Sequence, residues 1–350
     1  MAWAILAVAL AVLTVGADLL VRGAARLAAA WGISPLIVGL TIVACGTSAP
    51  ELVVSLHSTL SGQPDVALGN VVGSNIFNVL AILGASALIV PLRVADQFVR
   101  FDVPVMIALT AATLVLALDG RIGRIEGAAL SLGLVGYLAR AVWMSRRSPA
   151  GTDEDLAVPG PPRGSVAWSC LSVAAGLTLL VLGSRWFVSA AVDLARDFGV
   201  SELTIGLTVV AAGTSLPEAA ASALAALRGE RDIAVGNVVG SNIFNLLGVL
   251  GLSAALSGGG VAVSEAALRF DLPVMLGVAV VCLPICWTGQ VVARWEGGLL
   301  LAYYVIYTGV LLVAATDPGR IAGPATLWGV AALTALPLLF AAVHAFRSRR

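Results

Sequence analysis

The chain has 350 residues, of which 59% are hydrophobic and only 11% charged, with a mean hydropathy of +0.99. Soluble domains carry roughly 25% charged residues, so this composition excludes a water-soluble globule and implies a polytopic membrane protein. Twenty basic residues, all arginine, balance twenty acidic ones to a net charge of zero, and no basic face is left for nucleic acid.

Hydropathy predicts eleven spans, at roughly 2–28, 33–60, 65–90, 100–118, 124–145, 166–195, 200–228, 232–257, 269–287, 293–315 and 325–346. The chain starts directly on its first apolar run with no basic leader, so a cleaved signal peptide is not expected. The long polar interruption at 146–165, rich in Pro, Gly, Asp and Arg, reads as an exposed linker. Cys45, Cys170, Cys282 and Cys286 lie in apolar segments without metal-type pairing and read as small packing residues.

The second and third spans carry two motifs, GTSAPE from Gly46 to Glu51 and GNVVGSNIFN from Gly69 to Asn78. Both return in the seventh and eighth spans, as GTSLPE from Gly213 to Glu218 and an identical GNVVGSNIFN from Gly236 to Asn245. Glu51 and Glu218 are 167 positions apart, as are Asn78 and Asn245. The correspondence extends to Arg100-Phe101-Asp102 with Arg269-Phe270-Asp271, and to Arg124 and Glu126 with Arg294 and Glu296. The expected organisation is therefore a first five-helix repeat at 1–145, a linker at 146–165, a second repeat at 166–315, and a loop, extra helix and basic tail at 316–350. Five crossings per unit turn the second unit upside down, the inverted-repeat plan of many secondary transporters.

Fourteen of the twenty arginines fall on one side if the N-terminus is outside, which places the linker and tail in the cytoplasm. The expected location is a bacterial inner (plasma) membrane.

A charged carboxylate at the bilayer centre costs about 3 kcal/mol on insertion scales, and Glu51 and Glu218 both lie deep in their spans. A bound cation, a proton or a fixed partner would make that cost tolerable, and neither motif contains an arginine. Thr47 and Ser48 share a helix face with Glu51, as Thr214 and Ser215 do with Glu218. Pro50 and Pro217 each remove a backbone donor, freeing carbonyls one turn earlier. On the partner spans, Ser74 with Asn78, and Ser241 with Asn245, are four apart on one face. Carboxylates, hydroxyls, amide oxygens and carbonyls are hard ligands suited to calcium or sodium and ill-suited to zinc or copper. For the serines and asparagines, helix–helix hydrogen bonding is the plainer alternative. Asp65, Asp232, Asp102 and Asp271 read as caps at helix starts. His57 reads as a packed or pore-edge residue, and the Arg124/Glu126 and Arg294/Glu296 pairs as interfacial anchors.

The paired motifs, in two five-helix halves, closely resemble the sodium/calcium exchangers of the cation/calcium antiporter superfamily. The resemblance spans about residues 5–315. It implies calcium coordination by Glu51, Glu218 and the carbonyls of Thr47 and Thr214. It implies sodium sites built from Glu51, Glu218, Ser48, Ser74, Ser215, Ser241 and the carbonyls of Ala44 and Ala211, with Thr47, Thr214, Asn78 and Asn245 alongside. Helices one and six would slide across a rigid remainder. Some family members, the potassium-dependent ones among them, carry Asp at the position of Asn245, and the large regulatory region of animal exchangers has no counterpart in the short linker.

Calcium and sodium are then cargo, and no cofactor is expected. A monomer is expected to suffice for transport, in contact with the lipid bilayer. A calcium/proton or potassium-dependent antiporter is the nearest alternative. A channel has no need of a tight carboxylate pair. An intramembrane hydrolase would need a water-activating histidine near the acids, which no HExxH run provides.

Overall fold

In the computed structural model, the described residues are 2–147, 165–198, 209 and 211–316. They are almost wholly helical. The first half comprises α1 (Ala2–Trp31), α2a (Pro35–Thr47), α2b (Ala49–Leu60), α3 (Val66–Ile89), α4 (Phe98–Asp119) and α5 (Arg124–Arg147). The second comprises α6 (Ser165–Asp197), the turn Ala211–Gly213, α7 (Leu216–Leu227), α8 (Arg231–Leu256), α9 (Ala267–Trp287) and α10 (Arg294–Thr316). Among the described residues, eight helices are long and apolar enough to cross a membrane, and the bent pair α2a–α2b makes a ninth. Most of the linker, the start of the span at 200–228 and the extra span at 325–346 lie outside the described residues.

Four two-residue strands show how the halves are related. β1 (Leu92–Arg93) pairs with β4 (Val291–Val292), and β2 (Arg121–Ile122) pairs with β3 (Val261–Ala262). By sequence, β1 is the equivalent of β3, and β2 of β4. Each strand thus pairs with the equivalent of its neighbour and not with its own equivalent. Halves of the same orientation would leave β1 and β4 on opposite faces. Among the described residues, this pairing is the one that two inverted repeats would make, tied once at each face.

α1 and α6 pack antiparallel along the outside of this core. Gly16 and Gly176 let the two backbones touch. A Cβ on Gly176 would sit 2.6 Å from the Leu20 nitrogen and 2.7 Å from the Gly16 oxygen. Small residues at such a crossing replace a hydrophobic driving force with close van der Waals contact. α8 and α3 are the most deeply buried spans and cross at the centre.

Two local irregularities position the site. At Ser48 (φ −81°, ψ 7°) and Ser215 (φ −90°, ψ 9°) the chain leaves helical geometry, and α2a and α2b bend by 43°. Pro50 and Pro217 follow two residues later, so each ladder resumes only with Leu52 N–H donating to the Ser48 carbonyl, or Ala219 N–H to that of Ser215. Widened π turns begin at Asn78 (Asn78–Leu83) and Asn245 (Asn245–Leu250), a distortion common at functional sites.

Candidate cation site

The two breaks face each other at the centre of the core, and each half completes the other's carboxylate. The Ser48 hydroxyl donates to Glu218 Oε1 (2.8 Å) and the Ser215 hydroxyl to Glu51 Oε1 (2.9 Å). Ser74 Oγ lies 3.1 Å from Ser215 Oγ. Glu51, Glu218, Thr47, Ser48, Ser215, Ser241, Asn78 and Asn245 are all fully buried.

Asparagines that the motif reading passed over hold this arrangement. Asn70 Nδ2 donates to the Glu51 carbonyl (3.3 Å) and to Ser55 Oγ (2.9 Å), and Asn237 Nδ2 does the same to the Glu218 carbonyl (3.3 Å) and Ser222 Oγ (2.9 Å). Thr47 Oγ1 in turn donates to Asn237 Oδ1 (3.1 Å), and Thr214 Oγ1 lies 3.4 Å from Asn70 Oδ1. Asn75 and Asn242 exchange amide-to-carbonyl bonds across the α3–α8 crossing (3.4 and 3.3 Å). Their side-chain oxygens accept from Asn245 Nδ2 (3.1 Å) and Asn78 Nδ2 (3.0 Å).

That network spends the nitrogens of Asn78 and Asn245 and turns their oxygens loose. Asn78 Oδ1, Asn245 Oδ1, Glu51 Oε2, Glu218 Oε2 and Ser241 Oγ are buried without a hydrogen-bond partner. Such groups cost several kcal/mol each in an apolar interior. Four of the five are pure acceptors, so a cation satisfies them where a water would satisfy only some. Two carboxylates among neutral oxygens are a ligand set that hard cations favour.

The remaining expected residues are placed as follows. Ala44 is buried, and its carbonyl accepts from Ser48 N–H (3.0 Å). Thr214 is half-buried at the break, and Ala211 opens the turn before it. Other expectations need correction. Asp102 and Asp271 make no cap bond; they accept from Tyr137 and Tyr307 hydroxyls (3.2 Å each), because the tyrosines of α5 and α10 reach them across the helix pair. Glu126 and Glu296 are bonded to the backbone N–H of Gly123 (2.6 Å) and Ala293 (2.7 Å) at their helix starts. Arg124 and Arg294 reach across to carbonyls of the other half, at Ala255 and Ile89 (3.3 Å each). His57 is exposed, as is Cys170, while Cys282 and Cys286 lie buried with sulfurs 3.8 Å apart.

An inverted repeat of broken helices around a buried carboxylate pair defines an ion-coupled membrane transporter. The chain belongs to the sodium/calcium exchanger protein family, whose pattern it matches over residues 1–143 and 168–313. It is 39% identical over 313 residues to the putative antiporter CaxA of Alkalimonas amylolytica, covering 87% of this chain and 96% of that one. It is 30% identical over 342 residues to the sodium/calcium exchanger MaX1 of Methanosarcina acetivorans, covering 88% and 97%. The fold matches a solved structure of the sodium-calcium exchanger NCX_Mj with a TM-score of 0.76 at 29% identity, over 89% of this chain and 98% of that one.

Proposed function

We propose that the chain exchanges sodium for calcium by alternating access, at three sodium ions per calcium, in the plasma membrane of a bacterium with its N-terminus outside. Calcium would be held by Glu51, Glu218 and the Thr47 and Thr214 carbonyls. Sodium would use the carboxylates with Ser48, Ser74, Ser215, Ser241, Asn78, Asn245 and the carbonyls of Ala44 and Ala211.

The observation that carries alternating access is a difference between two identical decapeptides. In the second copy Gly236 and Gly240 are buried, and Gly240 meets α2a so closely that a Cβ would fall 2.6 Å from the Leu40 oxygen. In the first copy Gly69 is exposed and Gly73 half-exposed. Asn70 is partly exposed where Asn237 is fully buried. A cavity of about 460 Å³ lies on the exposed side and is lined by Asn70, Ser74 and Thr214 of the site itself. Among the described residues, equal sequences thus have unequal surroundings, which supports a carrier open to one face, and exchanging the two surroundings would open the other.

The stoichiometry is what the family resemblance implies, and charge bookkeeping gives its consequence. With both glutamates ionised the site carries −2, so bound calcium makes it neutral and three sodium ions leave one positive charge. One net charge per cycle is worth about 2.3 kcal/mol per 100 mV, roughly a fortyfold change in the calcium ratio. In sodium-loaded proteoliposomes, an interior held positive by a potassium ionophore should speed calcium uptake, and an interior held negative should slow it. Uptake indifferent to voltage would exclude three-for-one exchange. Uptake driven by a pH gradient without sodium would replace sodium with protons.

A further inference from the structure

Asp271, on α9, lines the same 460 Å³ cavity as Asn70, Ser74 and Thr214, together with Tyr304, Tyr307 and Thr308 of α10. It is only partly buried, and its Oδ1 accepts from the Tyr307 hydroxyl. Among the described residues no cation pairs with it.

Its equivalent in the first half is different. Asp102 is 2% exposed and bonded to Tyr137. The guanidinium of Arg140 lies 3.0 Å over the ring of Phe101, the residue before Asp102. The residue equivalent to Arg140 in the second half is Val310. One aspartate is thus enclosed with a guanidinium against its neighbour, while the other lines a cavity that reaches the transport site and, among the described residues, pairs with no cation.

A charged carboxylate facing hydrocarbon costs several kcal/mol, so an ionised Asp271 needs water or a cation on its cavity side. Resting on the exchange proposed above, we infer that Asp271 is a way-station for the transported cations. It attracts Ca²⁺ or Na⁺ into the cavity and passes them to Asn70, Ser74 and Thr214 at the mouth of the buried site. One carboxylate with tyrosine and threonine hydroxyls is a hard but sparse ligand set, suited to brief occupancy by a hydrated cation. Focused fields of this kind raise association rates by about 10- to 1,000-fold and weaken with ionic strength.

The test compares initial rates of ⁴⁵Ca²⁺ and ²²Na⁺ uptake, from the face carrying β2 and β3, in reconstituted wild type, Asp271→Asn, Asp271→Glu and Tyr307→Phe. Asparagine keeps the acceptor for Tyr307 and removes only the charge. Asp271→Asn should lower kcat/KM for calcium about tenfold. The sodium rate should fall only about threefold, since attraction scales with ion charge, and both losses should shrink in high choline chloride. Asp271→Glu should restore the rate, and Tyr307→Phe should cost less than Asp271→Asn. Asp271→Asn with wild-type rates, or with a loss that is independent of salt and equal for both ions, would overturn the assignment in favour of a tether for α10.

A wild type that moves no calcium would remove the exchange reading and leave this site to a second measurement. In the Glu51→Gln/Glu218→Gln background, Tb³⁺ luminescence sensitised by the neighbouring Tyr304 and Tyr307 should fall on adding Asp271→Asn. Undiminished luminescence would overturn the site independently of transport.

Discussion

Ser48 and Glu218 lie 170 positions apart, yet the Ser48 hydroxyl donates to Glu218 Oε1 across 2.8 Å. The bond joins the helix break of one half to the carboxylate of the other. Hydrogen bonds to charged groups contribute about 1.5–3 kcal/mol. Ser48→Ala is therefore expected to weaken cation binding about tenfold, and Ser215→Ala, which removes the reciprocal bond to Glu51, by a similar factor. The half-saturating sodium and calcium concentrations for exchange check this, and a Ser48→Ala exchanger with wild-type values would refute it.

Removing a carboxylate should be far more severe. Two acids together neutralise a divalent ion in low dielectric, and losing either leaves a charge that the site cannot balance. Glu51→Gln and Glu218→Gln should each abolish calcium transport while the protein still elutes as a folded species from size exclusion. Near-normal calcium uptake by either variant would remove the carboxylates from the site.

Asn245→Asp replaces an amide that donates to Asn75 Oδ1 with a third acid beside the pair. Like-charge repulsion raises a carboxyl pKa in such a cluster. Protonation of the variant then begins at a higher pH than in the wild type, and transport should be lost earlier as the medium is acidified. The added charge should also admit an extra monovalent cation. A pH profile and potassium response matching the wild type would count against Asn245 lying among the ions.

The arginine asymmetry predicts that the linker at 146–165 and the C-terminal tail lie on the cytoplasmic side. Cysteines introduced there, in a background cleared of the four native ones, should resist an impermeant thiol reagent applied to intact cells. Labelling of the tail alone would mean that residues 325–346 do not cross the bilayer.

The carboxylates, the serines and the terminal asparagines were legible before any coordinates, because charge in apolar sequence is costly and duplicated charge is rarely accidental. The helix breaks were equally legible, since proline at 50 and 217 cannot donate to the ladder. The roles of Asn70 and Asn75 were not. They sit inside the repeated decapeptide, but spacing along one helix does not reveal that Asn75 crosses to Asn242 on another. Asp102 and Asp271 looked like caps because a helix begins beside them, and only the packing of α5 and α10 brings tyrosines to their side chains. The two-residue strands were too short to leave a period-2 signal. Nothing in identical decapeptides could say which copy would be packed and which exposed.

Reciprocity of the cross-half bonds has a consequence for how such a protein can arise and fail. A half translated alone would bury a carboxylate whose hydroxyl partner belongs to a different molecule, inserted the other way up. It could be rescued only by meeting that molecule in the membrane. Fusion into one chain makes the meeting intramolecular, with an effective concentration set by a short tether. It also ties the two glutamates into a single inheritance, so that a lesion at the serine beside one deprives the other, and drift in one half can be repaired by change in the other.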